Sequence, residues 1–292
     1  MSKSLYLLVF TSFIFNSCVT NSESEDEKSA ESQISTSATP SLQMAWQTDT
    51  TLATPESVIY DASNDVFYVS CIAGMPPGAH DGDGYIAKVG PSGEILANPW
   101  VTGLDAPKGM AIYDGKLYVT DIDKLVSIDL NSGEVLSKTL VLGAQFLNDA
   151  DVDGDGTIYM TDTETATLFM AKGDEITEVF KNDELGRLNG VFIDGDRKLF
   201  TSGKVFTLEG EDLQMVADSI GGGDGVEKYK DGYFVSNWSG EIYHLASDWT
   251  KTKVLDTKDA GINAADIDII ESKNLLIVPT FFENRITAYT IK

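Results

Sequence analysis

One short pattern returns six times along this chain: a turn rich in Asp, Gly, Asn or Lys, then a short strand with an aromatic residue or Leu at its centre. The copies are SNDVFYVSC, YDGKLYVTD, GDGTIYMTD, GDRKLFTSG, KDGYFVSNW and SKNLLIVPT. Aligned on Tyr68, Tyr118, Tyr159, Phe200, Phe234 and Leu276, they are separated by 50, 41, 41, 34 and 42 residues. Such a period belongs to units that bury their apolar faces against one another, and this length suits a four-stranded propeller blade. Another short apolar strand precedes each copy (SVIYD, GMAIY, DADVD, GVFID, GVEKY, DIDII), and two more follow, as in LVSIDL and KTLVL. Long helical periodicity is absent, so the pattern predicts an all-β six-bladed β-propeller with four antiparallel strands per blade over residues 44–292. Seven blades would need shorter steps, and an α/β pair of domains would need helices that the pattern lacks.

The same repeat decides how to read DVDGDGTIYMTD, Asp151 to Asp162. Its acids at positions 1, 3, 5 and 12 and its Gly at 6 imitate a calcium loop of the EF-hand type. That loop requires a flanking helix on each side, whereas a strand precedes Asp151 and another begins at Thr157. The segment is therefore a propeller turn. Gly221-Gly222-Gly223-Asp224-Gly225 is a second decoy, since it lacks the Gly-Lys-Ser/Thr of a phosphate-binding loop and no helix follows.

The N-terminus speaks to compartment. Lys3 precedes an apolar run, Leu5 to Phe15, too short to span a bilayer as a helix, and Phe15-Asn16-Ser17-Cys18 resembles a relaxed lipobox. Residues 1–18 read as a lipoprotein signal peptide ending at the lipidated Cys18. Residues 19–43, rich in Ser, Thr and Glu, read as a disordered acidic tether. The expectation is an exported protein, lipid-anchored in a bacterial cell envelope, periplasmic or surface-exposed, whose only contact with the membrane is the anchor. Cys71 is then the one thiol left in the propeller, so no internal disulfide supports it and the residue reads as a small buried apolar group. A formal charge of −25 argues against nucleic acid as a partner and for affinity toward cations. A monomer is expected.

Equivalent positions can be compared across blades. Ten to twelve residues before each aligned centre, at the start of the strand nearest the axis, stand Glu56, Lys108, Asn148, Asn189, Asp224 and, in the sixth unit, Ala265 or Asp266. Four of these offer side-chain oxygens toward one point, and buried oxygens of this kind are costly unless paired or coordinated. Two carboxylates and two amides with no thiolate or His suit one hard divalent cation, calcium first, with magnesium, manganese or zinc as alternatives. Glu56, Asn148, Asn189 and Asp224 are the expected ligands. As single residues each would be read as a turn or strand cap; their common repeat position favours a site.

At this point a resemblance becomes specific. PESVIYDASNDVFYVS, FLNDADVDGDGTIYMTD, RLNGVFIDGDRKLFTSG and GGDGVEKYKDGYFVSNWSGEIYHL resemble blades of the SMP-30/gluconolactonase/LRE-like family, propellers related more distantly to paraoxonases and strictosidine synthases. The resemblance runs over most of Glu56 to Tyr289. It implies that Glu56, Asn189 and Asp224 bind the metal, that Asn148 faces metal or substrate, and that Asp224 positions or deprotonates the attacking water. It departs where family members place an Arg before the third-blade Asn, here Gln145-Phe146-Leu147, and in the long first-blade insertion CIAGMPPGAHDGDG. Sugar-lactone specificity does not carry over.

The function expected is a metal-dependent hydrolase, a lactonase or esterase, acting on a small molecule at the top of the channel. Asn148, Lys108, His80 and Trp238 are candidates for substrate binding, with Lys108 read either as an anion holder or as half of a salt bridge. Asp121, Asp162 and Phe281 should share the entrance. With two His, and no Ser at a strand-to-helix elbow, a Ser-His-Asp hydrolase finds little support. The alternative from another class is a non-catalytic ligand- or protein-binding propeller with a structural cation.

Overall fold

The structure is a computed structural model, and it describes residues 39–292. The expected signal peptide with Cys18 and nearly all of the expected tether lie outside the described residues. Six four-stranded antiparallel sheets form the blades of a propeller. Their inner strands are Pro55–Asp61, Pro107–Tyr113, Leu147–Val152, Val191–Asp194, Gly223–Tyr229 and Asp268–Ile270. The repeated aromatic segments form the second strands: Val66–Cys71, Lys116–Asp121, Ile158–Asp162, Arg197–Thr201, Gly232–Asn237 and Leu275–Pro279. Among the described residues no helix is long and apolar enough to cross a membrane.

Blade six is closed by the other end of the chain. Its outermost strand is Leu42–Gln47, which begins just before the Met44 boundary expected from composition and pairs antiparallel with Ile286–Ile291. Leu42 stands opposite Ile291, and Ser41 and Lys292 exchange two backbone hydrogen bonds. The edges of a ring of blades are satisfied only when its ends meet, so this pairing turns six sheets into one body.

The core lies between blades and follows from strand periodicity. Along Val66–Cys71, Phe67 and Val69 pack toward blade six with Ile277, Ile286 and Ala288, while Tyr68 packs toward blade two with Met110, Leu117 and Val126. Successive side chains point to opposite faces, so a strand with a blade on either side is buried throughout, as the pattern of Val66–Cys71 shows. Cys71 belongs to this packing, and burial pushes its thiol up to about 12. Pairing also refines the repeat. Ile59, Ala111, Asp151 and Glu227 face Tyr68, Tyr118, Tyr159 and Phe234, and the equivalent partners in blades four and six are Leu199 and Ile277. The Phe200 and Leu276 of the sequence alignment are each one residue out of register, because two adjacent apolar residues look alike until a partner strand distinguishes them.

DVDGDGTIYMTD is a turn between paired strands, as expected. Asp153 Oδ1 accepts hydrogen bonds from the N–H groups of Asp155 and Thr157. Asp162, at the twelfth position, is fully buried and holds a different segment. Its Oδ2 accepts from the N–H of Gln145 at 2.6 Å and of Phe146 at 2.8 Å, and its Oδ1 accepts from the N–H of Thr165. Asp121 does the same for Asp105 and Ala106, and the Asn237 amide donates to Ile220 O. The residue ending these second strands is thus a latch on the loop that leads into its own inner strand. Asp121 and Asp162 were expected at the entrance; the backbone N–H groups they satisfy turn them inward.

Removing the Asp162 latch leaves one buried and two part-buried donors unpaired, and an unsatisfied buried group costs about 1–3 kcal/mol. Asp162→Ala is expected to lower unfolding free energy by about 3 kcal/mol, measured by urea denaturation; a loss below about 1 kcal/mol would show that the latch carries little.

Candidate metal centre at the mouth of the channel

Four of the inner strands open with an irregularity in pairing, between Pro55 and Ser57, Pro107 and Met110, Leu147 and Ala150, and Gly223 and Val226. Bulges re-aim a side chain, and the residues in these gaps include Glu56, Lys108, Asn148 and Asp224. Hydroxyls of the second strands fix the backbone there. Thr120, Thr161, Thr201 and Ser236 donate to the carbonyls of Asn148, Asn189, Asp224 and Ala265 in the following blade. On their own blades Thr161, Thr201 and Ser236 accept from the N–H groups of Asp149, Gly190 and Gly225. Gly190 lies at one of these crossings, where a Cβ would run into the Asp224 carbonyl oxygen.

The outcome is one cavity of about 270 Å³ lined by Glu56, Lys108, Asn148, Asn189 and Asp224, with Trp238 and Phe281 above them. The sixth place in the ring is Ala265, fully buried. Asp266 points to the next level, where its Oδ2 accepts from Ser57 Oγ at 2.6 Å.

Two features of this cavity suit a cation. Glu56 and Asp224 are 6% and 1% exposed, and Glu56 Oε2 and Asp224 Oδ1 have no hydrogen-bond partner. Both carboxyls are held well above their ordinary range. Burial is the main cause in each; for Glu56 the Asp224 charge adds to it and Lys108 opposes, and for Asp224 the Asp266 charge adds to it and the Asn189 side chain opposes. Orphaned buried oxygens beside two amides are a donor set that a hard divalent ion would satisfy. Among the described residues no group of three or more His, Cys, Asp or Glu is arranged to hold a metal, so any ion here depends on the amides of Asn148 and Asn189.

Lys108 forms no salt bridge. Its Nζ donates to Ala106 O at 2.8 Å and lies 4.3 Å from the centre of the Phe146 ring, a cation–π contact. The group is 1% exposed, and burial lowers it to about 8, with Glu56 and then Asp121 opposing the shift. His80 stays outside the cavity: half exposed, its Nδ1 lies 3.2 Å from Asp105 Oδ2, an acid that also pairs with Lys124 at 3.0 Å. His244 is buried against Phe234, with rings 5.3 Å apart, and serves packing.

Sequence reasoning missed a second level of acids. Asp149, Asp151, Glu227, Asp266 and Asp268 line a separate channel cavity of about 180 Å³. Three of them join neighbouring blades by accepting backbone N–H groups: Asp149 from Val191, Asp151 from Ile193 and Asp268 from Tyr60. The signal was present as the alternation in DADVD and DIDII. Burial pushes Asp151 up to about 7 and Asp268 up to about 6. A carboxyl whose folded value is raised contributes stability that is complete below its unfolded value and is lost as pH rises through the folded one. Melting temperature is therefore expected to fall between about pH 4 and pH 7, and Asp268→Asn, which keeps an acceptor for Tyr60, should flatten the lower part of that slope. Thermal melts across the range test this; identical slopes in both proteins would show that Asp268 does not titrate as described.

No family model matches the chain, and no curated protein does. Solved structures match its fold. A gluconolactonase from Xanthomonas campestris superposes with a TM-score of 0.65 at 14% identity, over 83% of this chain and 88% of that one. A catalytically inactive virginiamycin B lyase from Staphylococcus aureus, solved with quinupristin, gives 0.60 at 12% identity over 86% and 99%. A chain of a nidogen/laminin complex gives 0.55 at 15% identity over 67% and 76%. These likenesses establish the six-bladed architecture, shared by a lactonase, a lyase and a protein complex, so any activity has to be argued from the site.

Proposed function

We propose that the chain is a metal-dependent hydrolase of the SMP-30/gluconolactonase kind, acting on a lactone or related ester at the mouth of the channel. The observation that carries this reading is the pair of buried, unpartnered carboxylate oxygens, Glu56 Oε2 and Asp224 Oδ1, on one cavity with Asn148 and Asn189. Glu56, Asn148, Asn189 and Asp224 would hold one divalent cation, calcium first, and a bound cation supplies Lewis-acid polarisation of a carbonyl oxygen.

The chain's own groups supply the proton chemistry. Asp224 orients water and accepts its proton as the water oxygen bonds to the carbonyl carbon, and it returns that proton to the departing alkoxide oxygen as the ester C–O bond breaks. Lys108 presents an ammonium beside Glu56 and steadies negative charge on the substrate. Phe146 keeps water from the ammonium and holds it in place.

Asp224→Asn is expected to lower kcat by about 10²–10⁴. The assay is proton release in a pH-stat from sugar, aliphatic and aromatic lactones, using chelated protein resupplied with calcium, magnesium, manganese or zinc. Undiminished hydrolysis by the variant would sink the role given to Asp224. The second reading, a binding propeller with a structural cation, draws on Lys108, which already places one positive charge in the ring. It predicts metal-dependent melting with no turnover of any lactone.

For compartment we propose export and lipid attachment at Cys18. Labelled palmitate fed to expressing bacteria should enter the wild type and not Cys18→Ser; equal labelling would remove the anchor.

A further inference from the structure

The cavity above the ring is polar on one side only. Facing the five ring residues stand Met75, Phe146, Trp238, Phe281 and Phe282, with Ile72 and Pro77 completing the wall. Trp238 and Phe281 lie 5.5 Å apart, Trp238 and Phe282 5.8 Å, and Phe281 and Phe282 4.9 Å, all edge to face. Phe281 is buried at 4% exposure, while Trp238, Phe282 and Met75 are exposed by 38%, 52% and 60%. Large apolar groups left open to water beside buried carboxylates gain by covering one another with a ligand.

The wall is also pre-organised. Trp238 N–H donates to Gly222 O, and Trp238 O accepts from Asn263 Nδ2 at 2.8 Å. The Phe281–Glu283 turn is closed by Asn284, whose Oδ1 accepts from the Thr54 N–H at 3.0 Å, tying blade six to the loop ahead of blade one. Little ordering cost therefore remains when something settles against it.

We infer that the substrate is an ester or lactone bearing an aromatic or branched aliphatic substituent beside its carbonyl, and that Trp238, Phe282 and Met75 select it. This rests on the hydrolase reading. A polyhydroxylated sugar lactone seated here would turn hydroxyls toward a wall whose only side-chain hydrogen-bonding group is the Trp238 indole N–H. Groups stripped of water without a partner bind poorly. The polar chemistry lies across the cavity, toward a neighbouring space of about 580 Å³ lined by Arg187, Thr163, Ser202 and Gly221 to Gly223 and sharing Phe146, Asn148, Asn189 and Trp238 with this one. In that space Arg187, Thr163 and Ser202 offer polar partners to the remainder of the substrate.

The experiment uses the purified full chain with α-phenyl-γ-butyrolactone, unsubstituted γ-butyrolactone and glucono-1,5-lactone. Turnover is followed by pH-stat and binding by quenching of tryptophan fluorescence. The phenyl lactone should exceed the unsubstituted one in kcat/KM by about tenfold or more, and Phe282→Ser should reduce that ratio toward one. Phe282 is half exposed, so the variant should fold, and its melting curve verifies this. Equal or better turnover of the sugar lactone would overturn the inference while leaving a hydrolase. Absence of all turnover, with tight binding of the phenyl lactone that Phe282→Ser weakens, would support the pocket and remove the hydrolase. If no lactone binds or turns over, both fall.

Discussion

The arrangement on which this molecule depends is the belt of Thr and Ser hydroxyls between neighbouring inner strands. A hydroxyl can accept and donate at once, so Thr161, Thr201 and Ser236 each join a backbone N–H of their own blade to the carbonyl of a ring residue in the next. Neighbouring blades share isolated backbone hydrogen bonds, such as Asp266 N–H to Glu56 O and Leu147 N–H to Ile122 O, in place of a continuous ladder. The belt supplies polar continuity where the strands converge, and it sets the backbone from which Asn148, Asn189 and Asp224 project. Carboxylates take over the same task one level further along the axis, where Asp149, Asp151 and Asp268 reach across to the neighbouring blade.

Charge is the cost of building a channel in this way. Glu56 and Asp224 at the mouth and five acids further in lie along one channel, and burial pushes their protonation upward. Lys108 offsets part of that charge from within the ring and is itself drawn downward by burial. Its ammonium rests on Phe146, whose backbone is held by Asp162, so a latch in blade three reaches the electrostatics of the mouth through one aromatic ring. A cation among the four oxygen donors would act in the same direction as Lys108, and metal binding and stability are therefore expected to be coupled.

Much of the fold was legible because a repeat shows the same solution six times. Turn chemistry and period-two alternation gave blade number and strand order. The position at the head of each inner strand placed Glu56, Lys108, Asn148, Asn189 and Asp224 on one cavity without knowledge of any contact. Residues that depend on a specific neighbour were not legible. Asp121 and Asp162 look like entrance acids until the N–H groups they satisfy are seen, and His80 looks like a cavity residue until its contact with Asp105 is seen. Lys108 was read as an anion holder or as half of a salt bridge; it makes no salt bridge, and a carbonyl oxygen and an aromatic face hold it. The apolar wall was largely missed because its residues come from distant segments: Met75 from the first-blade insertion, Phe146 ahead of blade three, Phe282 from a turn in blade six.

By itself the sequence determined the all-β repeat, the six blades and the ring position at the head of each inner strand, since these follow from local alternation and turn residues that any single blade displays. Tertiary structure alone decided the closure of blade six by Leu42–Gln47 and the choice of Ala265 over Asp266 in the ring. It also decided the register at Leu199 and Ile277, and the meeting of an aromatic wall with a polar ring. Each of these depends on which partner stands opposite a residue, and a side chain can be told from its chemically similar neighbour only by what it touches.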